Sequence, residues 1–257
     1  MGSAIVEAII EHKILEPEEI LAFDPNTAHC EALSAKGVTI AANNRRVAHM
    51  SPIVLLAVKP QIAGDVLTEI QTVAANTCFI SIMAGISSGY IKSKLPNTTY
   101  VIPAMPNTPL IVGKAATIIA KPSDVPLEFY RAAVSIFSCA GDVVFVDEDY
   151  INACIPLSSS SPAFFYRMAA EMVRYAEQLE VDPVVALRLV AQAMEGAAVM
   201  LRESGKSPDE LISQVASPGG TTLAALDQMD IHGFDEALRE ALIACKLRAD
   251  ELSRTPT

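Results

Sequence analysis

The chain has 257 residues, 51% of them apolar, and a formal net charge of −11. That length holds one large domain or two ordinary ones with ample core, and an acidic balance without a basic patch argues against a nucleic-acid ligand. The uncharged stretch 95–113 is broken by Pro96, Pro103, Pro106 and Pro109, and neither it nor any other run is expected to span a bilayer.

Residues 1–15 open directly on a helix pattern, with Ile5, Ile9, Ile10 and Leu15 at helical spacing and Gly2 in the first turn. A short strand at 20–24, a helix over about 27–36 and a small strand at 38–40 follow. Ile53-Val54-Leu55-Leu56-Ala57-Val58 is a continuous apolar run, the pattern of a parallel strand buried on both faces, and it ends in Lys59-Pro60. Residues 78–82 form a similar strand ending at Ala84-Gly85, and 100–102, 116–120 and 143–146 complete the set. Strands alternating with helices predict an α/β fold with a doubly wound sheet.

After Asp147 the pattern becomes helical only, which divides the chain into domains 1–148 and 149–257. Phe165, Met168, Met172, Ala176 and Leu179 recur at helical spacing, Asp182-Pro183 is an N-cap with proline at the first position, and Ser207-Pro208-Asp209-Glu210 is a capping box. A last long helix carries the stripe from Phe234 to Leu252. High apolarity without a membrane segment implies buried subunit contact, hence an oligomer. The cysteines at 30, 78, 139, 154 and 245 show no ligand spacing, so no metal is expected. They read as reduced, mostly buried thiols of a cytoplasmic protein, and no secretion signal is evident.

The candidate site begins with Ser217-Pro218-Gly219-Gly220-Thr221-Thr222, a glycine turn opening onto a helix near Thr222. Convergent amides, a helix dipole and two hydroxyls suit a small anion; the alternative is a capped helix corner. In doubly wound sheets ligands bind beyond the carboxyl ends of strands, which here carry Asp24, Ala57-Val58-Lys59-Pro60 and Ala84-Gly85. Asp24 either holds a ribose hydroxyl, Gly2 being the last glycine of a dinucleotide fingerprint, or caps the next helix. Lys59 is either a cofactor contact or a solvated strand end. The loop Met105-Pro106-Asn107-Thr108-Pro109 either frames a nicotinamide or is a rigid connector.

Taken with Met1-Gly2-Ser3-Ala4, these segments stand in the order and spacing of one family: the chain resembles the pyrroline-5-carboxylate reductases over nearly its full length. The resemblance implies a Rossmann-type domain followed by an all-helical dimerisation domain. It implies a homodimer or higher oligomer, with no nucleic-acid or membrane partner. The implied reaction is hydride transfer from NADPH or NADH to the C=N carbon of 1-pyrroline-5-carboxylate, giving L-proline in the last step of proline biosynthesis. On the family pattern, the amides of Gly219, Gly220 and Thr221 hold the substrate carboxylate. Ser217 supports that loop, and the Thr222 hydroxyl stands near the ring nitrogen, so both carry the catalytic roles. Glu148 matches a substrate position. Gly2, Ser3, Asp24, Asn44, Ala57, Val58, Lys59, Pro60, Ala84, Gly85, Met105, Asn107 and Gln214 match cofactor positions.

The chain also departs from that pattern. The family's first strand and Gly-x-Gly-Asn turn precede the residues matching Met1-Gly2; without them weak dinucleotide binding and unpaired strand edges are expected. A Ser-Gly-Ser-Gly-Pro-Ala turn is here Ser158-Ser159-Ser160-Ser161-Pro162-Ala163, and a family arginine is Pro103. These changes keep open a divergent, non-enzymatic dimeric paralogue. Acidic Asp24, with no arginine in 25–30, leans the cofactor toward NADH.

Overall fold

The computed structural model of the chain describes residues 1–72, 76–121 and 124–254; the last residues of the expected second domain, 255–257, lie outside them. The chain folds as two compact units. The first is Met1–Ser160 with the chain's return from Cys245 onward, and the second is Ser161–Ala244.

In the first unit, α1 (Gly2–Glu11), β1 (Leu21–Ala22), α2 (Thr27–Ser34), β2 (Thr39–Ile40) and α3 (Asn44–Met50) come first. Then follow β3 (Ile53–Leu56), α4 (Ala63–Glu69), β4 (Cys78–Ser81), α5 (Ser88–Lys94) and β5 (Tyr100–Met105). After these come β6 (Ala115–Ala120), α6 (Leu127–Ser138), β7 (Gly141–Val146) and α7 (Ile151–Cys154). The strands form two sheets, a parallel pair β1-β2 and a five-stranded sheet in the order β3-β4-β5-β6-β7. Among the described residues β1 pairs only with β2, and β3 only with β4.

The sheet is mixed, because β6 runs antiparallel to β5, with Ala104 opposite Ile119. A parallel return needs a crossover of a dozen or more residues. The link between these strands is only a 3₁₀ turn, Thr108–Val112, closed by Gly113 at φ 67°. β6 and β7 are again parallel, joined through α6.

Alternation along the strands builds both cores. All of β4 is buried: Cys78 and Ile80 join one cluster with Ile5, Ile9, Ile102, Ile119 and Phe137. Phe79 joins the other, with Leu67, Ile91 and Val101. Period-two side chains thus serve α1 and α6 on one face and α4 and α5 on the other. Burial pushes the Cys78 thiol up to about 12, so it is inert. The other four cysteines are only half-buried, fewer in the core than expected.

Neither departure distorts the chain. The non-glycine residues with positive φ among those described are Lys13, Asn76 and Glu180, so Ser159 and Ser161 sit without backbone strain where glycine was expected. The Ser159 hydroxyl is buried with no partner, while the Ser160 hydroxyl accepts from Cys245 Sγ at 3.2 Å. Pro103 lies opposite Ser81 in the ladder to β4. The ladder to β6 pairs only Ala104 and Met105, so the missing amide of Pro103 breaks no bond on that side.

The second unit is helical throughout: α8 (Ser161–Gln178), α9 (Pro183–Glu203), α10 (Pro208–Val215), α11 (Thr221–Ile231) and most of α12 (Phe234–Arg254). Its starts are where side chains satisfy first-turn amides. Asp182 accepts from Val184 N at 2.7 Å, and Ser207 and Glu210 form both bonds of the capping box. Contrary to expectation, α9 is apolar and long enough to cross a membrane, and 11% of its apolar window is buried in the chain. Phe165, Met172, Tyr175, Val185 and Leu189 are exposed on α8 and α9.

Gly141 tests the sheet packing. It holds φ 153°, and a Cβ there would lie 2.2 Å from the Ala115 carbonyl oxygen; at Gly113 nothing lies within 4 Å. Gly141→Ala is expected to lower unfolding free energy by at least about 3 kcal/mol. Gly113→Ala is expected to cost about 1 kcal/mol, the left-handed penalty alone. Urea titration compares them, and equal losses would contradict the packing.

Candidate active site

In the first unit the site is built where helix starts and strand ends meet. The first amide bonded within α1 is that of Ile5, to Met1 O at 3.0 Å, so the amides of Gly2, Ser3 and Ala4 remain open at the positive end of a ten-residue helix. A Cβ on Gly2 would lie 3.1 Å from that of Ala57. The glycine therefore seats the helix against the carboxyl end of β3. There Ala57 and Lys59 are exposed, Val58 packs on the second core, and Pro60 opens a 3₁₀ turn. Lys59 has no partner among the described residues.

Several predicted cofactor residues have other duties. Gly85, at φ 76°, meets the backbone of Leu252 in α12, 3.2 Å from where its Cβ would be, so close packing accounts for it, next to Ala84. Asn107 is buried, its amide donating to Ser158 O at 3.0 Å and its carbonyl accepting from Ala116 N at 3.0 Å. Met105 is in the core with Ile118 and Ile151. Both side chains hold the strand end.

Asp24 follows β1 and accepts from Asn26 N at 2.8 Å and His29 Nδ1 at 3.1 Å. Burial pushes its carboxyl up, but those two hydrogen bonds outweigh this and hold it below its usual range. The helix cap itself is Asn26, which accepts from Ala28 N. Asn44 donates to Glu69 at 2.8 Å. Glu148 accepts from the Ser88 amide at 2.7 Å and its hydroxyl at 2.5 Å, anchoring the start of α5 on the wall of a cavity of about 350 Å³ that Pro103 also lines.

In the second unit the turn before α11 has the expected shape. Gly219 is left-handed at φ 72°, and the helix starts at Thr221, one residue earlier than predicted. The Gly220 amide, however, donates to Ser217 O at 2.9 Å, closing the turn. Among the described residues the amides of Gly219, Thr221, Thr222 and Leu223 donate to no carbonyl, and the Thr222 hydroxyl is unpartnered. Gln214 is exposed on α10.

Sequence reasoning missed two things. Ser88 is the partner of Glu148, sixty residues away in the chain, a separation no local pattern reveals. Arg45 and Arg46 line a cleft beyond β2, and two adjacent arginines in so acidic a chain were a visible signal.

Among known proteins, the pyrroline-5-carboxylate reductase dimerisation family matches residues 148–252. The family described as NADP oxidoreductase coenzyme F420-dependent matches residues 1–85. Similar relatives are the pyrroline-5-carboxylate reductases of Synechocystis sp., 34% identical over 99% of this chain and 95% of that one, and of Methanosarcina acetivorans, 35% identical with the same coverages. The solved pyrroline-5-carboxylate reductase of Coxiella burnetii is 31% identical with a TM-score of 0.89, covering 99% of this chain and 95% of that one. The Plasmodium falciparum pyrroline carboxylate reductase with NADP bound is 24% identical at a TM-score of 0.89, covering 98% and 94%, a likeness of fold.

The turn yields a direct test. A Cβ at Gly220 would stand 2.6 Å from Ser217 Oγ. Gly220→Ala is expected to cost about 1–2 kcal/mol in thermal unfolding, and adding Ser217→Ala is expected to recover part of it. No recovery would mean the clash lies elsewhere.

Proposed function

This chain belongs to the pyrroline-5-carboxylate reductase family, and from that premise we infer which of its residues carry the chemistry. It reduces 1-pyrroline-5-carboxylate to L-proline, an NAD(P)-linked oxidoreductase of proline biosynthesis. The observation that carries the assignment of residues is the open turn ahead of α11. Its left-handed Gly219 leaves amide donors on one short arc at a helix N-terminus, the arrangement that binds a carboxylate.

The amides of Gly219 and Thr221 hold the substrate carboxylate. Gly220 serves by lacking a side chain, with its own amide committed to the turn, and Ser217 supplies the accepting carbonyl. The Thr222 hydroxyl stands at the ring nitrogen. A cyclic imine is protonated easily in water, so this protein needs no strong acid. Its residues fix the angle and distance of approach and keep the carboxylate in place. Glu148, matched to a substrate position by the family pattern, orders the start of α5 through Ser88.

The first unit fits a dinucleotide: the open amides of Gly2 and Ser3 suit its pyrophosphate, with Asp24 and Asn44 on the ribose side and Ala57, Val58, Lys59, Pro60 and Ala84 along the rest. Bound there, the dinucleotide supplies the hydride that ends on the imine carbon. The NADH preference argued from Asp24 loses weight, since that carboxylate already serves Asn26 and His29.

The chain self-associates through its dimerisation domain. The exposed apolar residues of α8 and α9 are the contact surface of a cytoplasmic homodimer, which also accounts for an apolar α9 without a membrane. No observation favours the non-enzymatic paralogue, since Ser159, Ser161 and Pro103 are accommodated without strain.

Thr222→Ala is expected to lower imine turnover by about 10–100-fold while leaving dinucleotide affinity within about twofold. Steady-state rates and a fluorescence titration of the cofactor measure both. An equal fall in both would remove Thr222 from the substrate side.

A further inference from the structure

We propose that Asn152 is a positioning residue for the dinucleotide, a role that rests on the cofactor reading of the strand ends: it holds the loop after β4 in place through the last turn of α12. From Cys245 onward α12 belongs to the first unit. Cys245, Ala249, Leu252 and Ser253 recur there at helical spacing. Cys245 Sγ lies 3.2 Å from Ser160 Oγ, Ala249 is buried, and the Leu252 backbone stands 3.2 Å from where a Cβ on Gly85 would be. Asn152 supplies the polar tie. Its side-chain amide donates to Asp250 Oδ1 at 3.1 Å and to Ser253 Oγ at 3.0 Å. Both amide protons are thus spent on one turn of helix, which fixes the height and the rotation of that turn.

Three segments then close a ring. Gly85 meets α12 at Leu252, and the same turn of α12 is bound by Asn152. Asn152 in turn follows Glu148 on one short helical stretch, and Glu148 holds Ser88 at the other end of the loop. Between these ties Ile86 is buried in the second core, while Ala84 and Ser87 are exposed. They lie past the carboxyl end of β4, where doubly wound sheets take their ligands. Gly85, left-handed at φ 76°, has no Cβ to keep the helix away. The backbone of the loop is therefore set by the position of α12, and close packing passes a shift of that turn on to Ala84 and the bound dinucleotide. Because the polar tie falls on the same turn that touches the loop, its loss is felt at the cofactor rather than spread along the helix.

Fluorescence titration of the full chain with NADPH and with NADH, beside the KM for 1-pyrroline-5-carboxylate, reads this role. Asn152→Asp sets a carboxylate against that of Asp250 and is expected to weaken binding of both cofactors by about tenfold, with the imine KM within about twofold. Ser253→Ala removes one of the two acceptors and is expected to weaken binding by about threefold; it reads the same effect should Asn152→Asp fail to fold. The swap Asn152→Asp/Asp250→Asn sets donor against acceptor again with the roles reversed, and is expected to recover most of the loss. Hydrogen exchange of the amides of residues 84–88 is expected to quicken in Asn152→Asp and to slow again in the swap. Cofactor affinity unchanged in the folded single variants, a loss that the swap does not recover, or an equal rise in the imine KM would overturn the role. A wild type with no dinucleotide affinity, whose loop still loosens on substitution, refutes the cofactor reading and upholds the tie between Asn152 and the loop.

Discussion

Strand β4 is the element on which the first unit depends. Its four residues are all buried because both faces of the sheet are covered, and alternate side chains belong to different cores. Phe79 supports α4 and α5, while Cys78 and Ile80 support α1. The start of α1, which brings Gly2 and Ser3 to the end of β3, is therefore fixed by packing one layer away. A void at Ile80 would be felt at the cofactor side through α1, since close-packed interiors transmit displacement rather than absorb it.

The same economy explains the polar residues. Asn107, Glu148, Asn44 and Asp24 each satisfy a backbone amide, a carbonyl or a neighbouring side chain that would otherwise be left open. In the proposed function, main-chain groups and glycines do most of the binding: the first turn of α1 for the pyrophosphate, and the turn at Gly219 for the carboxylate. Such sites are rigid, because they are parts of secondary structure rather than side chains on loops. They also need few charged residues, which suits a substrate and a cofactor that are both anionic meeting a chain of net charge −11.

Local chemistry was legible in the sequence wherever it acts over a few residues. The caps at Asp182 and Ser207, the apolar run of β3 and the glycine turn at 219–220 were all readable from neighbours alone. What escaped was long-range. The reversal of β6 follows from the short connection after Met105, and the role of Asn107 follows from the distant Ser158 carbonyl; no periodicity encodes either. Strand 20–24 shrank to Leu21–Ala22 because only two residues find partners in β2. The glycine-to-serine changes at 159 and 161 looked costly, since a sequence does not reveal the sign of φ.

The most direct test of the account is the steady-state oxidation of NADPH and NADH by the purified chain with 1-pyrroline-5-carboxylate, with L-proline measured as the product. The account predicts saturable oxidation of a nicotinamide cofactor with stoichiometric proline. A folded, self-associated chain that oxidises neither cofactor in the presence of the imine would contradict it.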